Sequence, residues 1–224
     1  MSQAETFEAF VLDLDGTLID SGKYHAQAFA DAVSEQAGYR LTEGERHEFF
    51  AGHSTRFVPV LNERHGLSLD PARVLTRKRA RVKEIFRAEP FSGAAEFLAR
   101  WKGRVAMGLA TNSPASFVLP ALEAAGLREY FDAIVTSDEV EHRKPHPEIV
   151  ERTVDKLGAK PEKTLTFEDQ LIGIRAARAA GTGVVAVDNG QPVTFPPDIP
   201  VATWKTLLRM DETLGELEAW VRNC

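Results

Sequence analysis

The residues best placed for chemistry stand in Asp13-Leu14-Asp15-Gly16-Thr17, directly after the mostly apolar run Phe7–Leu12. Side chains two apart on a strand share a face, so Asp13 and Asp15 can address one ligand where the run ends. Gly16 lets the backbone turn there. Two carboxylates this close share either a proton or a cation. A carboxylate nucleophile beside a hard cation can move a phosphoryl group. A solvated Asp-x-Asp-Gly turn is the plain alternative.

Three more polar clusters follow. In Thr111-Asn112-Ser113, Ser113 suits a helix N-cap and Pro114 a first helical turn. The Thr111 hydroxyl and free backbone N–H groups at that positive helix end would suit an anion, and plain capping would explain the same residues. Arg143-Lys144-Pro145 offers a lysine able to neutralise a phosphate oxygen and keep a neighbouring acid ionised. Glu168-Asp169 offers hard oxygen ligands for Mg²⁺, or acids that favour a helix start. Each cluster has a structural explanation on its own. In series, each past the end of a strand-like run, they form a set where open α/β sheets bind ligands.

The elements that must position these residues are legible as alternating runs. Strand-length apolar stretches lie at Ala9–Leu12, Val105–Ala110, Ala133–Thr136, Thr164–Phe167 and Val184–Val187. Helical patterns at Ala115–Ala125, Glu148–Leu157 and Leu171–Ala180 separate the later ones, with Gly126, Gly158 and Gly181 at their C-terminal ends. Such alternation predicts a Rossmann-like parallel sheet covered on both faces, built from residues 1–20 and 90–224. Residues 21–89 break the pattern. They read as consecutive helices, Tyr24–Gln36, Glu43–Phe50, Thr55–Arg64 and Ala72–Ala88, and predict an all-helical cap inserted after the first strand, over the sheet's carboxyl edge. Pro59 threatens the continuity of the third. A Pro-rich loop, Gln191–Pro200, precedes a final helix near Asp211–Val221.

The chain has 224 residues, 43% of them hydrophobic, and 27 Lys+Arg against 33 Asp+Glu for a net charge of -6. That balance argues against nucleic acid or an anionic membrane as a partner. No apolar run approaches the roughly 20 residues of a membrane span, and polar Met1–Glu5 does not resemble a signal peptide. Cys224 is the single cysteine, which excludes an intrachain disulfide and points to a reducing, cytoplasmic setting. Oligomeric state is not legible.

The four motifs together resemble the haloacid dehalogenase superfamily, in the branch with a helical cap after the first strand, across essentially the whole chain. The resemblance implies that Asp13 is a nucleophile forming an aspartyl phosphate and that Asp15 is the general acid and base. It implies Mg²⁺ held by the Asp13 side chain, the Asp15 carbonyl and Asp169, with Glu168 direct or through water. Thr111 and Asn112 would hold the phosphoryl oxygens and Lys144 would offset their charge. The dehalogenases and phosphonate-cleaving members resembled lack the acid at Asp15, so the expected activity is hydrolysis of a small phosphorylated metabolite.

A sugar phosphomutase resembling β-phosphoglucomutase is the alternative, and a non-catalytic phosphate-ester binding protein a third. Thr17 leans towards a phosphatase, since the mutases resembled tend to be apolar there. In the cap, His25 stands where the family often keeps a histidine facing the site. Gly52-His53-Ser54-Thr55-Arg56 resembles its substrate loop, making His53 and Arg56 candidates for substrate contacts; a surface histidine and a structural turn would explain them equally. The mutases' sugar-gripping cap residues find Ala51 and Thr55 in their places. Gln170 and Arg143 depart from the small residues usual beside the motifs. Arg73, Arg77, Lys78, Arg79, Arg81, Lys83 and Arg87 read as a solvated helix face, or as a means of steering an anionic substrate.

Overall fold

The structure is a computed structural model that describes residues 7–50, 54–190, 193–210 and 213–222, and for 47, 49, 50 and 54–56 the backbone alone. The chain packs as two units. One comprises Met1–Asp20 with Ala88–Cys224, the other Ser21–Arg87.

The smaller unit is helical among the described residues: α1 (Gly22–Ala37), α2 (Glu43–Phe50), α3 (Ser54–His65) and α4 (Pro71–Ile85). Phe29 and Val33 of α1 pack with Val58 and Leu61 of α3 and Val74 of α4 in its core. The α4 helix starts where Asp70 accepts from the N–H groups of Ala72 and Arg73, with Pro71 behind the cap. It stops at Ile85, three residues before the predicted end, because Phe86 turns extended. The α3 helix continues through Pro59, which deprives only the Thr55 carbonyl, in the first turn, of its partner. Two of the basic residues of α4 are spent on acids: Arg77 pairs with Glu35 at 2.5 Å and Arg81 with Asp31 at 2.7 Å.

Buried Glu45 knots this unit together. It accepts from Thr42 N (2.8 Å), the Thr42 hydroxyl (3.0 Å) and Tyr39 Oη (3.0 Å), and lies 2.5 Å from His65 Nε2.

The larger unit is built on six parallel strands: β1 (Ala9–Leu12), β2 (Ala106–Ala110), β3 (Ala133–Val135), β4 (Thr164–Glu168), β5 (Gly183–Val187) and β6 (Val201–Ala202), in the order β3-β2-β1-β4-β5-β6. This is the Rossmann-like α/β fold the alternation predicts. Strand β1 is buried along its whole length between β2 and β4, which explains its unbroken apolar run.

The helices of this unit are α5 (Ala94–Trp101), α6 (Ala115–Ala124), α7 (Glu148–Leu157), α8 (Leu171–Ala179), α9 (Trp204–Arg209) and α10 (Leu214–Arg222). On one face of the sheet, Phe10 and Phe167 join Phe97 and Trp101 of α5 and Trp204 of α9 in an aromatic cluster, with centroids 5.1–6.3 Å apart. On the other face, Val11, Ala110 and Val135 meet Ile149, Val150 and Val154 of α7. Gly108 makes that approach possible, since a Cβ there would overlap Thr153 and touch Leu157.

Helix α5, strand β6 and helix α9 are additions to the predicted element list. Helix α5 is short, but Phe97, Leu98 and Trp101 are its buried stripe. The Ser113 N-cap expectation is corrected: α6 begins after Pro114, and no Ser113 oxygen caps it.

Candidate active site

The polar clusters meet at the carboxyl ends of β1, β2 and β4. Strand β1 has β2 on one side and β4 on the other, so the chain's winding reverses beside it, and that is where open sheets form a crevice. Asp13 follows β1 and donates its N–H to the Phe167 carbonyl at 3.1 Å, continuing the ladder for one residue. Its carboxylate therefore projects beside Glu168, the last residue of β4, and Asp169 after it.

Lys144 centres this group. Its Nζ donates to Asp13 Oδ1 (2.7 Å), to the Ala110 carbonyl (2.7 Å) and to Glu168 Oε1, a very short contact. Lys144 comes from the loop before α7, which the Asn112 side chain holds. Asn112 Oδ1 accepts from Lys144 N at 2.9 Å, and Asn112 Nδ2 donates to Lys144 O at 3.3 Å. The Lys144–Pro145 peptide is cis. The Asn112 amide, expected to face a ligand, is thus engaged with the backbone of Lys144. Buried Thr111 accepts from Ser113 N at 3.1 Å.

The Asp15 side chain receives the Ser113 hydroxyl on Oδ2 at 2.5 Å. Its Oδ1 is buried and has no hydrogen-bond partner among the described residues. The Ser113 hydroxyl accepts no cap bond from the helix. Instead Asp138 Oδ2 accepts from Ala115 N at 2.8 Å at the start of α6, so that helix end already has an anion in place.

Asp169 is held from two sides, by the Thr17 hydroxyl on Oδ1 (2.9 Å) and by Gln170 Nε2 on Oδ2 (3.0 Å). Thr17 itself is fixed through its carbonyl, which accepts from Trp204 Nε1 (2.8 Å) and Asn189 Nδ2 (3.1 Å). The aromatic cluster on that face of the sheet thereby reaches the turn after β1. Glycines make the close packing possible. Gly16 has φ of +88°, and a Cβ on it would overlap the Asp169 carboxylate; a Cβ on Gly173 of α8 would overlap that of Glu168.

The electrostatics follow from burial. One ammonium faces three buried carboxylates. Burial pushes Asp13 up to about 8; Lys144 pulls against this, and Glu168 and Asp15 add to the rise. Asp169 is pushed up to about 7 by burial and then by Asp13, against the hydrogen bonds from Gln170 and Thr17. Glu168 is also raised by burial, with Lys144 opposing. Burial opposes the charge on Lys144 too, but Asp13 and Glu168 outweigh it and keep the ammonium protonated.

A divalent cation fits these residues. Asp13, Glu168 and Asp169 offer carboxylate oxygens within 4.8 Å of one another. The donor set is all oxygen and carries more negative charge than Lys144 balances, which suits a hard ion such as Mg²⁺. The missing Cβ at Gly16 leaves room for Asp169 to take part.

Of the remaining candidates, His25 is half-buried in α1 of the smaller unit. Arg56 lies in α3 with only its backbone described, and His53 and Cys224 lie outside the described residues. Sequence reasoning singled out Thr17, Gln170 and Ser113 for other reasons and missed their hydrogen bonds to the acids. Nothing in the sequence flags Asn189 or Trp204, which act on Thr17 from 172 and 187 residues away.

With this geometry in place, the comparisons with known proteins agree on one family. The model of the haloacid dehalogenase-like hydrolases matches residues 7–181. The chain is 29% identical over 185 residues to the fructose-1-phosphate phosphatase YqaB of Escherichia coli, covering 82% of this chain and 97% of that protein. It is 32% identical over 179 residues to a phosphorylated carbohydrates phosphatase of Thermotoga maritima, covering 78% and 82%. Among solved structures, a HAD hydrolase of family IA, variant 3, from Entamoeba histolytica superposes with a TM-score of 0.79 at 21% identity, over 96% of this chain and 100% of that one. A β-phosphoglucomutase of Clostridium difficile does so with 0.74 at 22%, over 97% and 98%. These last two show the fold.

The chain belongs to the haloacid dehalogenase-like hydrolase family and is an enzyme of that class. Among the described residues, no helix is long and apolar enough to cross a membrane.

Proposed function

We propose that this protein is a Mg²⁺-dependent phosphatase that hydrolyses a small phosphate monoester, of the sugar-phosphate kind, through an aspartyl phosphate on Asp13. The observation that carries the proposal is the joint arrangement at the end of β1. Asp13 is fixed by Lys144 beside two further acids, while Asp15, two residues on, keeps one buried oxygen without a partner among the described residues. Relatives named as phosphatases of fructose 1-phosphate and of phosphorylated carbohydrates support the substrate class. A cytoplasmic location belongs to the same proposal.

Bound Mg²⁺, held by the Asp13 side chain, the Asp15 carbonyl and Asp169, with Glu168 direct or through water, would supply positive charge against the phosphoryl oxygens. The chain's own residues do the rest. Lys144 fixes Asp13 Oδ1 and adds a cation, which matches what phosphoryl transfer asks of a protein: positioning and charge neutralisation. The free carboxylate oxygen of Asp13 attacks phosphorus, the P–O bond to the ester oxygen breaks, and that oxygen takes a proton from Asp15. Asp15, now ionised, removes a proton from water; the resulting hydroxide oxygen bonds to phosphorus and the Asp13–phosphorus bond breaks. Phosphate leaves, and Asp13 and Asp15 return to their starting states. Ser113 holds Asp15 in register for both proton transfers.

The helical unit Ser21–Arg87 is proposed as the cap that sets specificity, with His25, His53 and Arg56 as its substrate-facing residues, and with Thr111 and Asn112 as phosphoryl-binding residues, Asn112 through its backbone N–H because its side chain is held by Lys144. The test is phosphate release from a panel of small esters in Mg²⁺ and in EDTA. Metal-dependent release from sugar phosphates is expected. Isomerisation of β-glucose 1-phosphate with a bisphosphate primer and no net release would overturn the proposal in favour of a mutase.

A further inference from the structure

Outside the acid cluster, a second group of metal-ligating side chains lies on the loop that delivers Lys144. His142 and His146 flank Lys144-Pro145, and Glu148 opens α7. The loop backbone brings them together. Glu148 Oε1 accepts from Glu141 N (3.1 Å), Glu148 Oε2 accepts from His142 N (2.9 Å), and His146 N donates to the Arg143 carbonyl at 3.0 Å. The two imidazoles consequently stand side by side, centroids 4.7 Å apart and 34° from parallel. His142 Nδ1 is 3.3 Å from Glu148 Oε2, and Glu148 N donates to His146 Nδ1 at 3.3 Å. One donor atom from each residue lies within 4.8 Å of the others.

We propose that His142, His146 and Glu148 bind a borderline divalent transition ion such as Zn²⁺. Two imidazoles and one carboxylate are the donor set that favours Zn²⁺, Co²⁺ or Ni²⁺, in contrast to the all-oxygen acid cluster. Donors on a bound ion stand closer than 4.8 Å, and the two exposed rings can turn to close that distance. The carboxylate is held in place for the task, its two oxygens accepting from the backbone N–H groups of Glu141 and His142. Arg152 pairs with Oε1 at 3.1 Å and leaves Oε2 on the His142 side to face the ion. Three protein donors leave coordination positions for water. An ion here would fasten together the two ends of the Lys144 loop, whose middle Asn112 already holds.

The test is calorimetric titration of the full-length protein with Zn²⁺ in saturating Mg²⁺, on wild type, His142→Ala and His146→Ala, with thermal melts alongside. About one equivalent is expected to bind wild type and raise its Tm. Each variant should bind roughly tenfold or more weakly, with phosphate release in Mg²⁺ alone unchanged for His142→Ala. Zn²⁺ affinity equal in all three proteins would place the ion at the acid cluster or elsewhere and overturn the proposal, as would no binding to wild type. Neither result bears on the phosphatase assignment, which the Mg²⁺ assay reads separately.

Discussion

Ser113 donates its hydroxyl to Asp15 Oδ2 at 2.5 Å across 98 residues of sequence, and the other Asp15 oxygen stays buried and unpartnered among the described residues. The contact joins the end of β2 to the turn after β1 and fixes the direction of the carboxyl group. A side-chain hydrogen bond contributes about 0.5–1.5 kcal/mol, so Ser113→Ala, which frees the carboxyl group to turn, should reduce kcat by up to about tenfold with little change in KM. Steady-state kinetics on an alkyl phosphate check this. An unchanged kcat would show that Asp15 needs no such support.

Gly16→Ala tests the cradle around Asp169. The new Cβ meets the Asp169 carboxylate, and φ of +88° is strained for any L side chain, at about 1–2 kcal/mol. Asp169 must leave its present position beside Gly16. The expected result is a folded protein whose activity needs at least about tenfold more Mg²⁺, read from the Mg²⁺ dependence of phosphate release.

The acid cluster predicts an unusual pH dependence of stability without divalent metal. Asp13 at about 8 and Asp169 at about 7 are raised above the ordinary aspartate value of 3.8. Between those limits the folded protein binds more protons than the unfolded chain, so stability falls as pH rises. Melting in EDTA should give a lower Tm at pH 8 than at pH 5, and Mg²⁺ should raise Tm more at pH 8. A Tm in EDTA that rises over this interval would contradict the charge assignment.

Glu45 in the smaller unit has the opposite sign. Burial raises its pKa, but the N–H and hydroxyl of Thr42, His65 and Tyr39 overcome this and hold it at about 2, below the ordinary glutamate value of 4.5. Its stabilisation is therefore complete above about pH 4.5 and is lost as pH falls towards 2. Glu45→Gln should lower Tm by several degrees at pH 7, on the scale of about 2–4 °C per kcal/mol for a chain this size. The difference from wild type should shrink in acid.

The legibility of this protein in its sequence tracks how local each cause is. Strand β1 and its partners announce themselves because burial on both faces leaves no polar alternation, and those strand ends place the four polar motifs. Ser113 was misread as a cap because a serine before Pro114 satisfies every local preference; its partner is Asp15, distant in sequence. Likewise Asn112 turns to the Lys144 backbone and Gln170 to Asp169, pairings that exist only once β1, β2 and β4 are adjacent. Helix α5 carries Phe97, Leu98 and Trp101 in a helical stripe, but its eight residues hold too few turns for periodicity to stand out.

The central claim is that Asp13 carries the phosphoryl group. Phosphate release by wild type and Asp13→Asn, each in Mg²⁺ and in EDTA on the preferred ester, tests it most directly, with circular dichroism confirming that the variant folds. The expected result is release by wild type in Mg²⁺ only, and none above background from Asp13→Asn. Substantial metal-dependent turnover by folded Asp13→Asn would contradict the mechanism.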